Sequence, residues 1–120
     1  MSGMLYHYSH WDPKKEEWSD RTYHLTEEQK NAVRHVLASV EPLETDYVDG
    51  EYAVTLEACS EDGLFSRSLG ELYRYNGRYA MVDWDEDGCL IYEAPVELNS
   101  TFAAIMKPYI DSEEAFYKSW

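Results

Sequence analysis

Asp83-Trp84-Asp85-Glu86-Asp87-Gly88 places carboxylates at positions 1, 3 and 5 of a loop and glycine at position 6, the pattern that opens a calcium-binding loop. That chemistry also needs a bidentate Glu at position 12, where this chain has Ala94, with Glu93 one place early. The flanks read as strands, whereas the calcium hand needs helices. A hairpin tip bearing the carboxylates of Asp83, Asp85, Glu86 and Asp87 is the better reading, and no bound metal is expected. His7 and His10 are spaced like metal ligands, with His24 near them across a hairpin, but residues three apart on a strand point to opposite faces. Cys59 and Cys89 form no CxxC pair, so zinc is not expected; they read as small buried thiols of a reducing cytoplasm. No GxSxG, phosphate-loop or dinucleotide fingerprint occurs, so neither catalysis nor a cofactor is expected.

The net charge of −14 has a definite address. Lys and Arg are absent from 35–66, which holds Glu41, Glu44, Asp46, Asp49, Glu51, Glu57, Glu61 and Asp62. They are absent again from 79–106, which holds Asp83, Asp85, Glu86, Asp87, Glu93 and Glu97. These fourteen acids equal the whole net charge, and elsewhere ten acids balance ten bases. Concentrated like charge destabilises a compact chain and attracts basic partners. Direct binding to DNA or RNA is disfavoured, because phosphates demand a basic patch.

The elements that position these residues follow from length and periodicity. A chain of 120 residues is read as one domain, 1–120, and 44% hydrophobic content with 15% aromatics excludes wholesale disorder. Met1 to Trp11 has no apolar signal region and no stretch is long and apolar enough to span a bilayer, so a cytoplasmic protein without membrane contact is expected. Leu5 to Trp11 and Trp18 to Leu25 suggest a first hairpin. Thr26-Glu27-Glu28-Gln29 is a capping box, followed by Val33, Val36, Leu37 and Val40 at helical spacing, which predicts a helix over 27–40 ended by Glu41-Pro42. Asp49-Gly50, Asn76-Gly77 and Asp87-Gly88 mark tight strand turns. Asn99 or Ser100 caps a short C-terminal helix through Met106, which Pro108 interrupts, and Ser112-Glu113-Glu114 starts a final turn. The expected fold is α+β, an antiparallel meander of five to seven strands with one firm helix and one short one.

A two-residue turn at Asp49-Gly50 sets Asp46 opposite Ala53 and Glu44 opposite Thr55. Alternation then turns Tyr47, Tyr52, Val54 and Leu56 inward and gathers Glu44, Asp46, Glu51 and Glu57 into an outward ridge. With Asp49 at the turn and the Asp83–Asp87 tip, this ridge is the expected partner-binding surface, and Tyr73, Tyr75 and Tyr92 are expected to border it. In length, charge and aromatic-rich α+β pattern, with the base-free stretches 41–62 and 83–97, the chain resembles the small acidic bacterial DNA-mimic proteins, including the Neisseria type that targets the histone-like protein HU. The resemblance implies a non-enzymatic DNA mimic that covers the DNA-binding surface of a basic, HU-like protein. The alternative is an immunity protein that neutralises a basic nuclease toxin.

Overall fold

The computed structural model describes residues 3–12, 14–45, 50–85 and 88–118, with the backbone alone at Asp85. Its elements are β1 (Gly3–Asp12), β2 (Glu17–His24), α1 (Glu27–Ser39), β3 (Leu43–Thr45), β4 (Tyr52–Cys59), β5 (Ser66–Tyr75), β6 (Arg78–Asp85), β7 (Gly88–Glu93), a 3₁₀ turn (Val96–Leu98) and α2 (Asn99–Lys118). The seven strands form one antiparallel sheet in the order β2-β1-β4-β5-β6-β7-β3. The architecture is α+β, as the sequence predicts.

Period-two burial sets the inner face of that sheet. Met4, Tyr6 and Tyr8 of β1, Val54 and Leu56 of β4, Leu72 of β5, and Tyr79 and Met81 of β6 are buried in one cluster. The same cluster contains Ala32, Val33 and Val36 of α1 and Phe102, Ile105 and Met106 of α2, so both helices cover one face. The capping box forms as read: the Gln29 amide donates to Thr26 Oγ1 at 3.2 Å and the Thr26 amide to Gln29 Oε1 at 2.9 Å. At Asn76-Gly77 both residues have positive φ, 50° and 74°, the backbone of a two-residue hairpin turn.

Two expectations are corrected. The strand containing Glu44 does not pair with β4; β3 adds to β7 at the far edge, with Glu44 opposite Leu90. β4 pairs instead with β5 along its length and with β1 over residues 55–59. Helix α1 reaches β7 across the inner face, and so delivers the chain to that distant edge. The second correction concerns the C-terminal helix, which is not short: it runs 20 residues, straight through Pro108. A proline inside a helix costs about 3 kcal/mol. Beyond it, however, Tyr109 and Ile110 pack on the core and the Phe116 ring lies 6.2 Å from Trp11 and 6.0 Å from Trp18. These half-buried side chains offset the proline by removing apolar surface from water. Among the described residues no helix is long and apolar enough to cross a membrane.

A bulge in the β4–β5 ladder, between Leu56↔Gly70 and Glu57↔Ser68, holds Gly70 at φ +98°. A Cβ there would come 2.3 Å from the Val82 carbonyl oxygen, a backbone atom that cannot step aside. Gly63, at φ +73°, meets nothing within 4 Å. Gly63→Ala should therefore cost only the left-handed backbone penalty of about 1–2 kcal/mol. Gly70→Ala should cost clearly more in the same urea unfolding measurement, because β6 must also move.

Candidate functional site: a base-free sheet face

Glu44, Asp83 and Leu90 lie in one cross-strand row, and Leu90 alternates in step with core-packed Tyr92. Exposed Glu44 and Asp83 therefore sit on the helix-bearing side. Glu57 points to the other side, where its Oε1 lies 3.4 Å from His7 Nε2. Glu51, just before β4, has Oε2 3.8 Å from Arg74 Nε, and the Arg74 guanidinium sits 5.5 Å above the Tyr52 ring. Asp46, Asp49, Glu86 and Asp87 lie outside the described residues, as does the side chain of Asp85. The structure thus separates Glu44 from Glu51 and Glu57 by β5, β6 and β7. No continuous ridge joins those three.

A different acidic surface emerges on the face of β2, β1, β4 and β5 turned away from the helix-packed core, bordered at its Trp11–Trp18 end by Phe116 of α2. Cross-strand pairing aligns Trp18, Asp20 and Thr22 of β2 with Trp11, Ser9 and His7 of β1, then Thr55 of β4 with His7 and with Glu71 of β5. Asp20, Glu57 and Glu71 share this face with His7 and a set of hydroxyls. Every base on these four strands turns the other way. Arg21 is opposite inward Tyr8, Arg67 lines a groove with Met4 and Leu37, and Arg74 covers inward Tyr52. Asp20 and Glu71 are invisible to a charge count along the chain, since Arg21 and Arg74 stand close by in sequence. Sorting residues by strand parity would have found them.

The ladder between β1 and β4 runs from Gly3↔Cys59 to His7↔Thr55 and then stops, while the β1–β2 pair continues to Asp12↔Glu17. The sheet forks there, and the fork opens a cleft of about 640 Å³. Its walls include Ser9, Trp18, Asp20 and Thr55 from the sheet and Tyr109 and Glu113 from α2. Ser9 Oγ donates to Asp20 Oδ1 at 3.2 Å. Burial, and then the Glu113 carboxylate, push the Tyr109 phenol up to about 12, so it stays protonated.

The remaining sequence candidates fall into place. His7 faces Glu57 outside while His10 Nδ1 contacts Ser112 Oγ of α2 on the helix side, so the two histidines are on opposite faces. Cys59 and Cys89 are buried free thiols. Among the described residues no group of three His, Cys, Asp or Glu side chains is placed to hold a metal. Tyr75 donates to Glu93 Oε1 at 2.7 Å, and burial followed by Glu71 raises the Tyr73 phenol to about 12; Tyr92 belongs to the core instead. Comparison of the chain with protein-family models, with curated proteins and with solved structures gives no match.

Sequence reasoning also missed the β4–β5 tip. Leu64 and Phe65 are 78% and 67% exposed, beside Glu61 and Asp62. A dense hydrogen-bond set holds them out: Ser60 Oγ donates to Asp62 Oδ1 at 2.6 Å, the Leu64 amide donates to the same oxygen at 3.0 Å, and the Phe65 amide donates to Ser60 Oγ at 3.1 Å. The Ser60 hydroxyl, and then the Leu64 amide, hold the Asp62 carboxyl below its ordinary value. A depressed carboxylate contributes order above its unfolded pKa and loses it as pH falls through the folded one. Leu64 amide protection should accordingly be present at neutral pH and be lost as pH falls through the lowered titration of Asp62. Ser60→Ala should move the Asp62 titration seen by NMR upward; an unchanged midpoint would show that the hydroxyl does not hold the carboxylate.

Proposed function

We propose that the protein is an acidic, non-enzymatic binding protein that sets the face of β2, β1, β4 and β5 turned away from the core against a basic protein, with carboxylates standing where DNA would present phosphates. The observation that carries this reading is the sorting of charge by face. Asp20, Glu57 and Glu71 share a surface from which Arg21, Arg67 and Arg74 are turned away. Ordinary surfaces intersperse the two signs, since adjacent like charges cost stability. A patch of β2, β1, β4 and β5 without Lys or Arg, with Arg78 of neighbouring β6 at its margin, steers a cationic partner into one orientation. A nucleic-acid-binding protein of the HU-like kind has the complementary surface.

The immunity-protein reading draws on a different observation, the exposed, hydrogen-bonded Leu64–Phe65 tip. A phosphate mimic has no use for two exposed apolar side chains, whereas an inhibitor that recognises one epitope uses such an anchor, seated in a partner's pocket. The two readings divide the molecule differently. One places the energy on the sheet face, the other on the tip.

Duplex DNA titrated into a preformed complex with a basic DNA-binding protein should release the protein, and affinity should fall steeply between low and physiological salt. Asp20→Asn, Glu57→Gln and Glu71→Gln should together weaken binding about tenfold or more, given three lost charge contacts of about 0.5–1 kcal/mol each. Glu44→Gln with Asp83→Asn, on the opposite side, should change it little. A ternary complex with DNA, or affinity indifferent to salt, rejects the mimic. Loss of binding on Leu64→Ser with Phe65→Ser, in a salt-tolerant complex with a nuclease toxin, establishes the immunity reading instead.

A further inference from the structure

The fork between β1 and β4 combines three properties that together specify a ligand. It is an open groove of about 640 Å³, a volume within the range of small-ligand sites. It brings carboxylates from two separate elements, Asp20 of β2 and Glu113 of α2, to one opening, and none of its lining residues is Lys or Arg. It is walled by aromatic rings, among them Tyr109 and Trp18, the latter left 59% exposed. Trp18 packs against Trp11 at 5.4 Å and Phe116 at 6.0 Å, which fixes the indole in place while much of its surface stays in water.

We infer that this cleft binds a guanidinium group, presented as an arginine side chain. A planar cation is the chemistry that satisfies all three properties at once: it stacks on an indole or phenol ring, donates to two carboxylates in different directions, and leaves hydrogens for the Ser9 and Thr55 hydroxyls. An ammonium satisfies the charge but not the planar fork, so it binds more weakly. An anion is excluded by the two carboxylates. A neutral apolar ligand would strip water from Asp20 and Glu113 without replacing their hydrogen bonds.

The position in the fold supports the assignment. The cleft opens on the same face as Glu57 and Glu71, so an arginine from a protein docked there reaches it without a second contact surface. Helix α2 is required for the site, because Tyr109 and Glu113 lie beyond Pro108 and close the fork from below. That gives the continued helix a role beyond covering the core. The source of the guanidinium rests on the docking proposed above; the chemistry of the cleft does not.

The test uses no partner protein. An N-acetyl-arginine-amide peptide, agmatine and spermidine are titrated separately into the ¹⁵N-labelled full chain, with the citrulline peptide as the neutral isostere. The expected result is saturable shifts confined to Ser9, the Trp18 indole, Asp20, Thr55 and residues 109–113 for both guanidinium ligands, weaker response to spermidine and none to citrulline. Asp20→Asn with Glu113→Gln should weaken the guanidinium isotherm about tenfold or more, as loss of charge-assisted pairs requires. Glu44→Gln with Asp83→Asn should leave it unchanged. Glu113→Gln alone, on an exposed-faced helix, serves if the double variant does not fold. Tighter binding of the peptide than of agmatine identifies a protein side chain as the occupant, and the reverse a free small cation. Non-saturating shifts spread over all the acidic residues, or an equal response to citrulline, overturn the site. Since DNA competition and partner affinity do not enter, failure here leaves the docking reading standing, and its failure leaves the cleft standing.

Discussion

The helix layer packs on Met4, Tyr6, Tyr8, Val54, Leu56, Leu72 and Met81, and these side chains occupy every second position of their strands. That one requirement assigns the direction of every residue between them. Once Leu56 is inward, Thr55 and Glu57 must be outward; once Leu72 is inward, Glu71 and Tyr73 must be outward. The same rule acts on the bases. Arg74 follows Leu72 by two and Arg67 is opposite inward Ala58, so both go to the helix side. A register shift of one residue would exchange the faces, burying carboxylates and exposing the core. The charge sorting is therefore locked by the hydrophobic packing and cannot drift independently of it.

Packing also explains why the sheet forks where it does. Beyond His7↔Thr55 the β1–β2 hairpin leaves β4 and follows α2 instead, through Tyr8 with Tyr109 at 4.9 Å and through Trp11 and Trp18 with Phe116. Ring contacts with the helix replace ladder hydrogen bonds with the sheet. Had α2 ended at Pro108, the far half of the hairpin would have lost its support. The proline, the fork and the cleft are thus parts of one arrangement.

Much of this was legible in the residues. The capping box, the α1 stripe, the Asn76-Gly77 turn, the opposed histidines and the α+β class rest on local rules, and local rules were enough. What was not legible was long-range. Asp49-Gly50 has the composition of a hairpin turn, yet β3 lies at the far edge of the sheet, paired with β7. Pro108 carries a helix-ending signal that is overridden by aromatic contacts with residues about a hundred positions earlier. Asp20 and Glu71 escaped notice because charge was counted along the chain, whereas a partner meets charge by face. Of the expected surface, Glu57 takes its place on the outward face, Glu44 and Asp83 go to the other side, and Glu51 is beside Arg74.

The distribution of bases gives the molecule an electrostatic orientation. Lys30 and Arg34 lie on α1, Lys107 and Lys118 on α2, and Arg21, Arg67 and Arg74 point to the same side from the strands. Lys30 pairs with Glu27 and Lys107 with Asp111, the latter at 2.9 Å, so the helix side mixes signs. On the opposite face of β2, β1, β4 and β5 the one described cationic contact is conditional: His7 carries charge toward Glu57 only when protonated. Carboxylates thus stand among bases on the helix side, whereas no Lys or Arg of β2, β1, β4 or β5 shares the face of Asp20, Glu57 and Glu71. Strand parity places those carboxylates on one face, and the fork between β1 and β4 opens beside them.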